Sequence, residues 1–348
     1  NSCKTATESE PKQPEELPNI ILVMADDLGW GDVAYNGNKT VKTPHLDQMA
    51  AEGLKLNRFY VAAPVCSPTR ASALTGRHPY RVRIPWAGDG FIHPNEVTIA
   101  EMLKTKGYAT GHFGKWHVGG ENWIGNREPT HQGFDEWWGI PGTSTPAQFT
   151  SLEGFDPEKS GIPYIWEGKK GEPSKQVKPY NLETRRTVDR EAAMKGVDFM
   201  EKNANEEKPF FLFYPMTQLH FPTLTHPDKM GSTGAGDLAD AMADVDYNVG
   251  LILQALKRLN IEENTLVIWC TDNGAEIRKP WKGTSGPWRG YYNSALEGGI
   301  RTPFVAKWPN RIKPGQVSNE IVHETDLLPT LFAAAGASDE VPTDRAID

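Results

Sequence analysis

The chain has 348 residues, 38% of them hydrophobic and 24% charged, with a formal net charge of −8 at pH 7. That length and composition suit one large α/β domain with its own core, or two of common size. The acidic balance argues against a nucleic-acid partner, which calls for a basic face, yet leaves room for an anionic substrate in a locally basic cleft, and no apolar run is long enough to span a bilayer.

Residues 1–18, NSCKTATESEPKQPEELP, are polar and rich in Pro and Glu and read as a disordered leader or tether. Ser2-Cys3 in that setting is similar to the end of a bacterial lipoprotein signal, whose cysteine is lipidated. That reading stands beside the plainer one of a stray cysteine. With a lipid anchor at Cys3, the chain would be a membrane-anchored lipoprotein of a bacterium, periplasmic or extracellular. The run NIILVMADD then reads as a strand buried on both faces. TPHLDQMAAEG follows as a helix, with Thr43 as N-cap, Pro44 at the first helical position and Gly53 as a stop. CSPTRASALTG sets Cys66 immediately before another helix, with Pro68 in its first turn and Arg70 one turn in. A helix N-terminus offers free N–H donors and the positive end of the dipole, which favours a thiolate and equally an anionic tetrahedral substrate. TIAEMLKTKG carries a Thr98–Glu101 capping box and ends at Gly107.

The segment from about 119 to 186 breaks the rhythm. It is rich in Gly, Pro and Trp, and a loop region of that length is expected to wall the substrate cleft. PFFLFYP and NTLVIWC are two more buried-type strands, with the amphipathic helix DLADAMADVDYNVGLILQALKRL between them. TPFVAKWP is a short strand and DLLPTLFAAAG a closing helix. This alternation predicts an α/β fold, a mainly parallel or mixed central sheet sandwiched by helices, with ligands beyond the carboxyl ends of the strands.

Two acidic pairs stand at those ends: Asp26-Asp27 after the first strand and Asp272-Asn273 after NTLVIWCT. Three carboxylates and an amide oxygen suit a hard cation such as Ca²⁺ or Mg²⁺. Either pair alone would pass for a turn or a cap; both at predicted strand ends favour the cation. Cys3, Cys66 and Cys270 cannot build a disulfide framework, and Cys270 lies in an apolar strand, which leaves Cys66 as the cysteine in a chosen setting.

CSPTRASALTG resembles the Cys-x-Pro-x-Arg signature, with its following Thr-Gly, of type I (formylglycine-dependent) sulfatases, arylsulfatase-like members of the alkaline phosphatase superfamily. GYATGHFGKWHVG at 107–119 matches a second signature, Asp26-Asp27 and TDNGAE at 271–276 match metal segments, and LEGGIRTPF at 296–304 matches a further block, all in family order between about residues 19 and 335. The resemblance implies that a maturation enzyme oxidises Cys66 to formylglycine (3-oxoalanine), whose hydrate supplies the nucleophilic oxygen. It implies that Asp26, Asp27, Asp272 and Asn273 hold Ca²⁺, with Mg²⁺ or Mn²⁺ the lesser candidates. Arg70 would hold the formylglycine, Lys115 would neutralise sulfate charge, His117 would assist regeneration, and His220 would protonate the leaving alcohol. Those roles answer a physical need. A sulfate monoester repels nucleophiles until cations offset its charge, and a sugar or phenol oxygen leaves badly without a proton. A serine would be stuck as its sulfate ester, whereas the second hydroxyl of a hydrated aldehyde can expel sulfate.

One position departs from the family pattern. A second sulfate-binding lysine is replaced by Tyr292, so that either its hydroxyl or Arg289 would serve, and Thr143 or Ser144 lies where some relatives place a hydroxyl near sulfate. Trp86, Trp116, Trp123, Trp137 and Trp138 are candidates for stacking on sugar rings. The implied activity is hydrolysis of a sulfated carbohydrate or aryl sulfate by a catalytic domain at 19–335, with 336–348 opening a small C-terminal subdomain that is largely missing. The alternatives are a phosphonate monoester or phosphodiester hydrolase, which Mn²⁺ would favour, and a non-catalytic glycan-binding lipoprotein.

Overall fold

Side chains of the first strand, β1 (Asn19–Ala25), enter two different cores. Ile21, Val23 and Ala25 pack on one face and Ile20, Leu22 and Met24 on the other, all at 0% exposure. Successive Cβ atoms alternate across a strand, so covering both faces makes the run apolar without a break. β7 (Phe210–Pro215) and β8 (Thr265–Thr271) flank β1 in parallel and are buried throughout. Each fully buried aliphatic or aromatic side chain here contributes roughly 1.5–3 kcal/mol.

The computed structural model describes residues 16–88, 90–156, 163–280 and 282–348. Most of the leader, with Cys3, lies outside the described residues. The other strands are β2 (Leu54–Tyr60), β3 (Ala109–Lys115), β4 (Glu136–Ile140), β5 (Tyr164–Lys169), β6 (Lys175–Pro179), β9 (Arg301–Lys307), β10 (Gln316–Ser318) and β11 (Val322–His323). Among the described residues, eleven strands form one sheet in the order β10-β2-β9-β8-β1-β7-β3-β4-β5-β6, with β11 also on β2. The middle, from β8 to β4, is parallel, while β9 and the β5–β6 ribbon run antiparallel to their neighbours. The mixed α/β expectation therefore holds.

Helices α1 (Pro44–Glu52), α5 (Leu182–Asn205) and α6 (Asp237–Arg258) cover one face, and α2 (Cys66–Thr75), α3 (Ile99–Thr105) and α8 (Leu327–Ala334) cover the other. Two four-residue helices, α4 (Pro146–Phe149) and α7 (Glu297–Ile300), sit in connections. The Thr98–Glu101 capping box forms as expected. Thr43 does not cap α1 with its side chain. Its hydroxyl accepts from Ala34 N–H and donates to Asp47.

Two further sequence expectations need correction, and one strand is absent from the sequence reading. The segment 119–186 is not one long loop: it contains β4, β5, β6 and the start of α5. β3 is a buried strand with almost no apolar signal, ATGHFGK, because glycine lets the backbones nest: a Cβ at Gly114 would lie 1.9 Å from the Pro215 carbonyl oxygen, and one at Gly139 of β4 would lie 1.8 Å from that of Gly114. Trp116, Trp137 and Trp138 are core side chains at 1–2% exposure, unavailable for stacking on sugars, whereas Trp86 is 48% exposed. The Trp123 side chain lies outside what the structure describes.

β3 also buries His112, edge-on to Trp116, Phe134, Trp137 and Phe213 with ring centroids 5.2–6.4 Å away. Burial, with the Arg70 charge second, pushes its pKa from 6.5 down to about 3. The unfolded chain then binds the proton more readily between those values, so stability is complete above pH 6.5 and falls as pH drops towards 3. Between pH 7 and pH 5 this group alone is expected to remove about 2 kcal/mol. Urea unfolding of His112→Phe and its parent at both pH values should show a smaller acid loss in the variant. Equal losses would contradict the assignment.

Candidate active site

The parallel strands deliver their carboxyl ends to one edge, and the candidate residues collect there. Asp26-Asp27 follow β1, Asp272-Asn273 follow β8, Lys115 ends β3, and Cys66 opens α2. All six are at most 1% exposed. Ligand atoms of Asp26, Cys66 and Asp272 lie within 4.8 Å of one another. Asn273 Nδ2 donates to Asp27 Oδ1 at 2.7 Å, and Asp27 N–H donates to Asp272 Oδ1 at 3.2 Å, which ties the two acidic pairs together.

Two cations are built into this cluster. Arg70 donates from Nε to Asp272 Oδ2 (2.9 Å) and from Nη1 to the Lys115 carbonyl (3.1 Å), and its Nη2 forms ion-pair contacts at 2.7 Å with Asp272 Oδ2 and 3.5 Å with Asp26 Oδ1. Lys115 Nζ donates to Asp26 Oδ2 at 2.6 Å. Burial alone would raise the Asp26 pKa, but Lys115 and Arg70 outweigh it and hold the carboxyl below its ordinary range. Asp272 is pushed up to about 7 by burial and the Asp26 charge, against Arg70. Asp27 is raised well above its ordinary value by burial and then by Asp26 and Asp272. Three carboxylates thus face two cations, and two of the three lack enough positive charge.

The same atoms test whether a metal fits. Asp26 Oδ1, Asp27 Oδ2 and Asn273 Oδ1 are buried and accept no hydrogen bond among the described residues. Unsatisfied buried oxygens of this kind are costly, and a hard divalent cation takes such oxygens as ligands. The donor set fits Ca²⁺ or Mg²⁺, as its residue types suggest.

Cys66 corrects an expectation. Its thiol is pushed well above the ordinary value by burial, Lys115 offsets this in part, and Asp26, Asp27 and Asp272 raise it further. Solvent exclusion and three carboxylates overcome the helix N-terminus, so residue 66 is a neutral thiol and not a thiolate nucleophile.

His117 and His220 complete the ring. His117 and Asp27 have φ of 57° and 54°, a left-handed backbone that residues other than glycine adopt at a cost and that clusters at functional sites. His117 Nδ1 is buried and makes no hydrogen bond among the described residues. His220 Nδ1 lies 2.5 Å from the Phe221 carbonyl, which can only accept, so the ring presents Nε2 to Thr143 Oγ1 (3.1 Å) and to Asp27 Oδ2 (3.9 Å). Burial first and Lys115 second push both histidines down. The neighbouring His226 caps the short turn Pro227–Lys229 instead.

Of the other candidates, Thr143 touches His220 and Ser144 is fully buried beside it. Tyr292 is half-buried, and its hydroxyl is pushed up by burial and then by Cys66, Asp27 and Asp26, so it faces the cluster as a neutral donor. Arg289 has an exposed side chain, and its carbonyl accepts from Gly298 N–H. Sequence reasoning missed Arg185 and Asp189 of α5, whose contacts hold the His220 loop; an Arg–Asp pair one turn apart looks like an ordinary solvated face. A cavity of about 850 Å³ opens from His117 and Thr143 and is walled by Phe149, Phe155, Tyr164 and Tyr180.

The Sulfatase family profile matches residues 18–337. The chain is 35% identical over 346 residues to N-acetylgalactosamine-6-sulfatase of Homo sapiens, covering 95% of this chain and 64% of the relative. It is 37% identical over 340 residues to arylsulfatase A of Homo sapiens, covering 92% and 64%. It thus spans somewhat less than two thirds of the length of these relatives. Among solved structures, the PsFucS1 sulfatase from Pseudoalteromonas sp. superposes with a TM-score of 0.87 at 32% identity, over 95% of this chain and 70% of that one. With its profile, its relatives and its fold in agreement, the chain belongs to the sulfatase family.

Proposed function

We propose that the protein hydrolyses sulfate monoesters of a carbohydrate or an aryl alcohol, with Cys66 converted to formylglycine by a maturation enzyme and Ca²⁺ held by Asp26, Asp27, Asp272 and Asn273. The observation that carries this reading is the cluster at residue 66: ligand atoms of Asp26 and Asp272 within 4.8 Å of its sulfur and of one another, Arg70 and Lys115 bonded to those carboxylates, and unsatisfied buried oxygens on Asp26, Asp27 and Asn273. Kinship with named sulfatases supports it.

When bound, the ion supplies charge that offsets the sulfate oxygens and makes the cluster net positive. Arg70 and Lys115 carry the remaining neutralisation and, being buried and hydrogen-bonded, need no rearrangement as charge grows on oxygen. Residue 66, at the start of α2, directs its side chain among them. Tyr292 and Thr143 donate hydroxyl hydrogen bonds at the edge of the sulfate position. His220, with Nδ1 fixed by the Phe221 carbonyl, carries the transferable proton on Nε2 and delivers it to the leaving oxygen. An anionic ester beside His220 offsets the Lys115 charge that depresses it, so proton uptake accompanies binding. His117 offers its free ring nitrogen to take a proton from residue 66 as sulfate is released. The aromatic walls of the adjoining cavity suit a sugar face or an aryl ring. A periplasmic or extracellular setting, with an anchor at Cys3, belongs to this reading.

The test is turnover by the matured protein on matched aryl sulfate and aryl phosphonate. We expect kcat/KM to favour sulfate by at least about 100-fold, a difference of roughly 3 kcal/mol in transition-state binding. Preference for phosphonate, or no sulfate release from protein bearing the aldehyde, would overturn the reading.

A further inference from the structure

Helix α5 buries two opposite charges for which the chemistry above has no direct use. Arg185 and Asp189, one turn apart, are 1% and 3% exposed. Removing a guanidinium and a carboxylate from water is costly unless their hydrogen-bonding groups are engaged. A single loop engages Arg185 Nη1 and Nη2 and both Asp189 carboxylate oxygens, while Arg185 Nε has no hydrogen-bond partner among the described residues. Arg185 Nη1 donates to Thr217 Oγ1 at 2.7 Å. Its Nη2 donates to the carbonyls of Thr217 and His220, both at 2.9 Å, and to Gln218 Oε1 at 3.2 Å. Asp189 accepts from the N–H groups of Thr217 (2.7 Å) and Gln218 (3.0 Å) and from the Thr217 hydroxyl (3.0 Å).

The other side of the loop is fastened to the strand that carries the acidic pair. Met216 N–H donates to the Met24 carbonyl at 2.8 Å, Asp26 N–H donates to the Gln218 carbonyl at 2.7 Å, and Leu219 N–H donates to the Asp26 carbonyl. Residues 216–220 are therefore clamped between α5 and the end of β1. Arg185 grips the main chain of the one residue whose ring reaches towards Thr143 and Asp27. A loop with that much of its backbone bonded on both sides has little freedom, and the direction of His220 Nε2 follows from it.

We propose that Arg185, supported by Asp189, is a positioning residue that sets His220 against the leaving oxygen and so controls how efficiently a poor leaving group is expelled. This rests on the reading of His220 as the acid. A displacement of about 1 Å in a catalytic group can cost about 100-fold. That loss is felt only where proton transfer matters. An acidic nitrophenol departs as its anion with little help, whereas a weakly acidic phenol needs the proton.

The test uses matured protein and a series of phenyl sulfates whose ring substituents grade the acidity of the leaving phenol. The parent should show a shallow dependence of kcat/KM on that acidity and His220→Ala a steep one. Arg185→Met should approach His220→Ala: a loss of about fivefold on the most acidic phenol and about 100-fold on the least. Because the slope is read within one variant, a reduced folded fraction divides out. Should Arg185→Met fail to fold, Thr217→Val carries the same comparison, with an expected extra loss of about tenfold on the least acidic phenol. A variant slope equal to the parent's while His220→Ala stays steep would overturn the positioning role alone. A shallow slope for His220→Ala would remove the acid assignment and this inference with it.

Discussion

Cys66→Ser, produced without a maturation enzyme, is expected to release one equivalent of leaving alcohol per protein and then stop. Serine places one hydroxyl where the thiol lies, among Arg70, Lys115 and the acidic pairs. That hydroxyl can attack the sulfur of a bound ester. The serine sulfate so formed has no second hydroxyl on the same carbon to expel sulfate, and water would have to attack an anion enclosed by carboxylates. A rapid-mixing experiment should therefore show a burst of phenol equal to the protein concentration, and the peptide containing residue 66 should gain the mass of one SO₃ unit. Sustained turnover should fall by roughly 10⁵-fold or more, as when a nucleophile is deleted elsewhere. The alternative, direct attack by water with residue 66 as a bystander, predicts neither burst nor adduct. The unmatured parent gives a second control: its buried neutral thiol should be nearly inert.

Asp27→Asn is expected to separate stability from activity in opposite directions. Asp27 is crowded by Asp26 and Asp272, and its Oδ2 accepts no hydrogen bond among the described residues. With no cation bound, removing one of three like charges should leave the protein as stable or more so, by about 1 kcal/mol. The amide keeps its size, and its oxygen can still accept from Asn273 Nδ2. With Ca²⁺ present the order reverses. The parent should gain thermal stability as ligand is added, since an ion that binds only the folded state stabilises it by mass action. The variant should gain much less, and its kcat/KM should fall about 1000-fold. Thermal melts with chelator and with added Ca²⁺, run beside an activity assay, give all three readings. Parent protein whose melting is indifferent to Ca²⁺, and whose activity survives chelation, would contradict a metal at this position.

How much of this could be read from the chain depends on what each residue's neighbours do. β1, β7 and β8 are legible because two covered faces leave a continuous apolar run. β3 is not, because its glycines exist to let Pro215 and Gly139 approach, a purpose visible only once the strands are side by side. The segment after residue 119 looks structureless because the β5–β6 ribbon lies at the sheet edge and is largely polar. The site is more legible than the fold around it. Asp26-Asp27 and Asp272-Asn273 are placed by strand ends that an apolar run announces, whereas Lys115 ends β3 and is marked only by the GYATGHFGKWHVG motif. Choices that depend on a loop's path are not legible. Nothing in WRGYYNSALEGG says that Tyr292 is half-buried beside the cluster while Arg289 is exposed. Composition likewise marks Trp116, Trp137 and Trp138 as apolar without saying which side of the sheet they fill. The reversed expectation for Cys66 has the same origin: a helix N-terminus is local and readable, whereas the burial that chiefly raises the thiol, and the three carboxylates that add to it, come from packing and from two distant strands.

The most direct measurement quantifies the aldehyde at residue 66 in preparations matured to different extents and compares it with sulfate release in the presence of Ca²⁺. The aldehyde fraction comes from peptide mass and from capture by a hydrazine reagent. The account predicts turnover proportional to that fraction, passing through zero when residue 66 is wholly cysteine. Full turnover from protein in which residue 66 remains an unmodified thiol would contradict it.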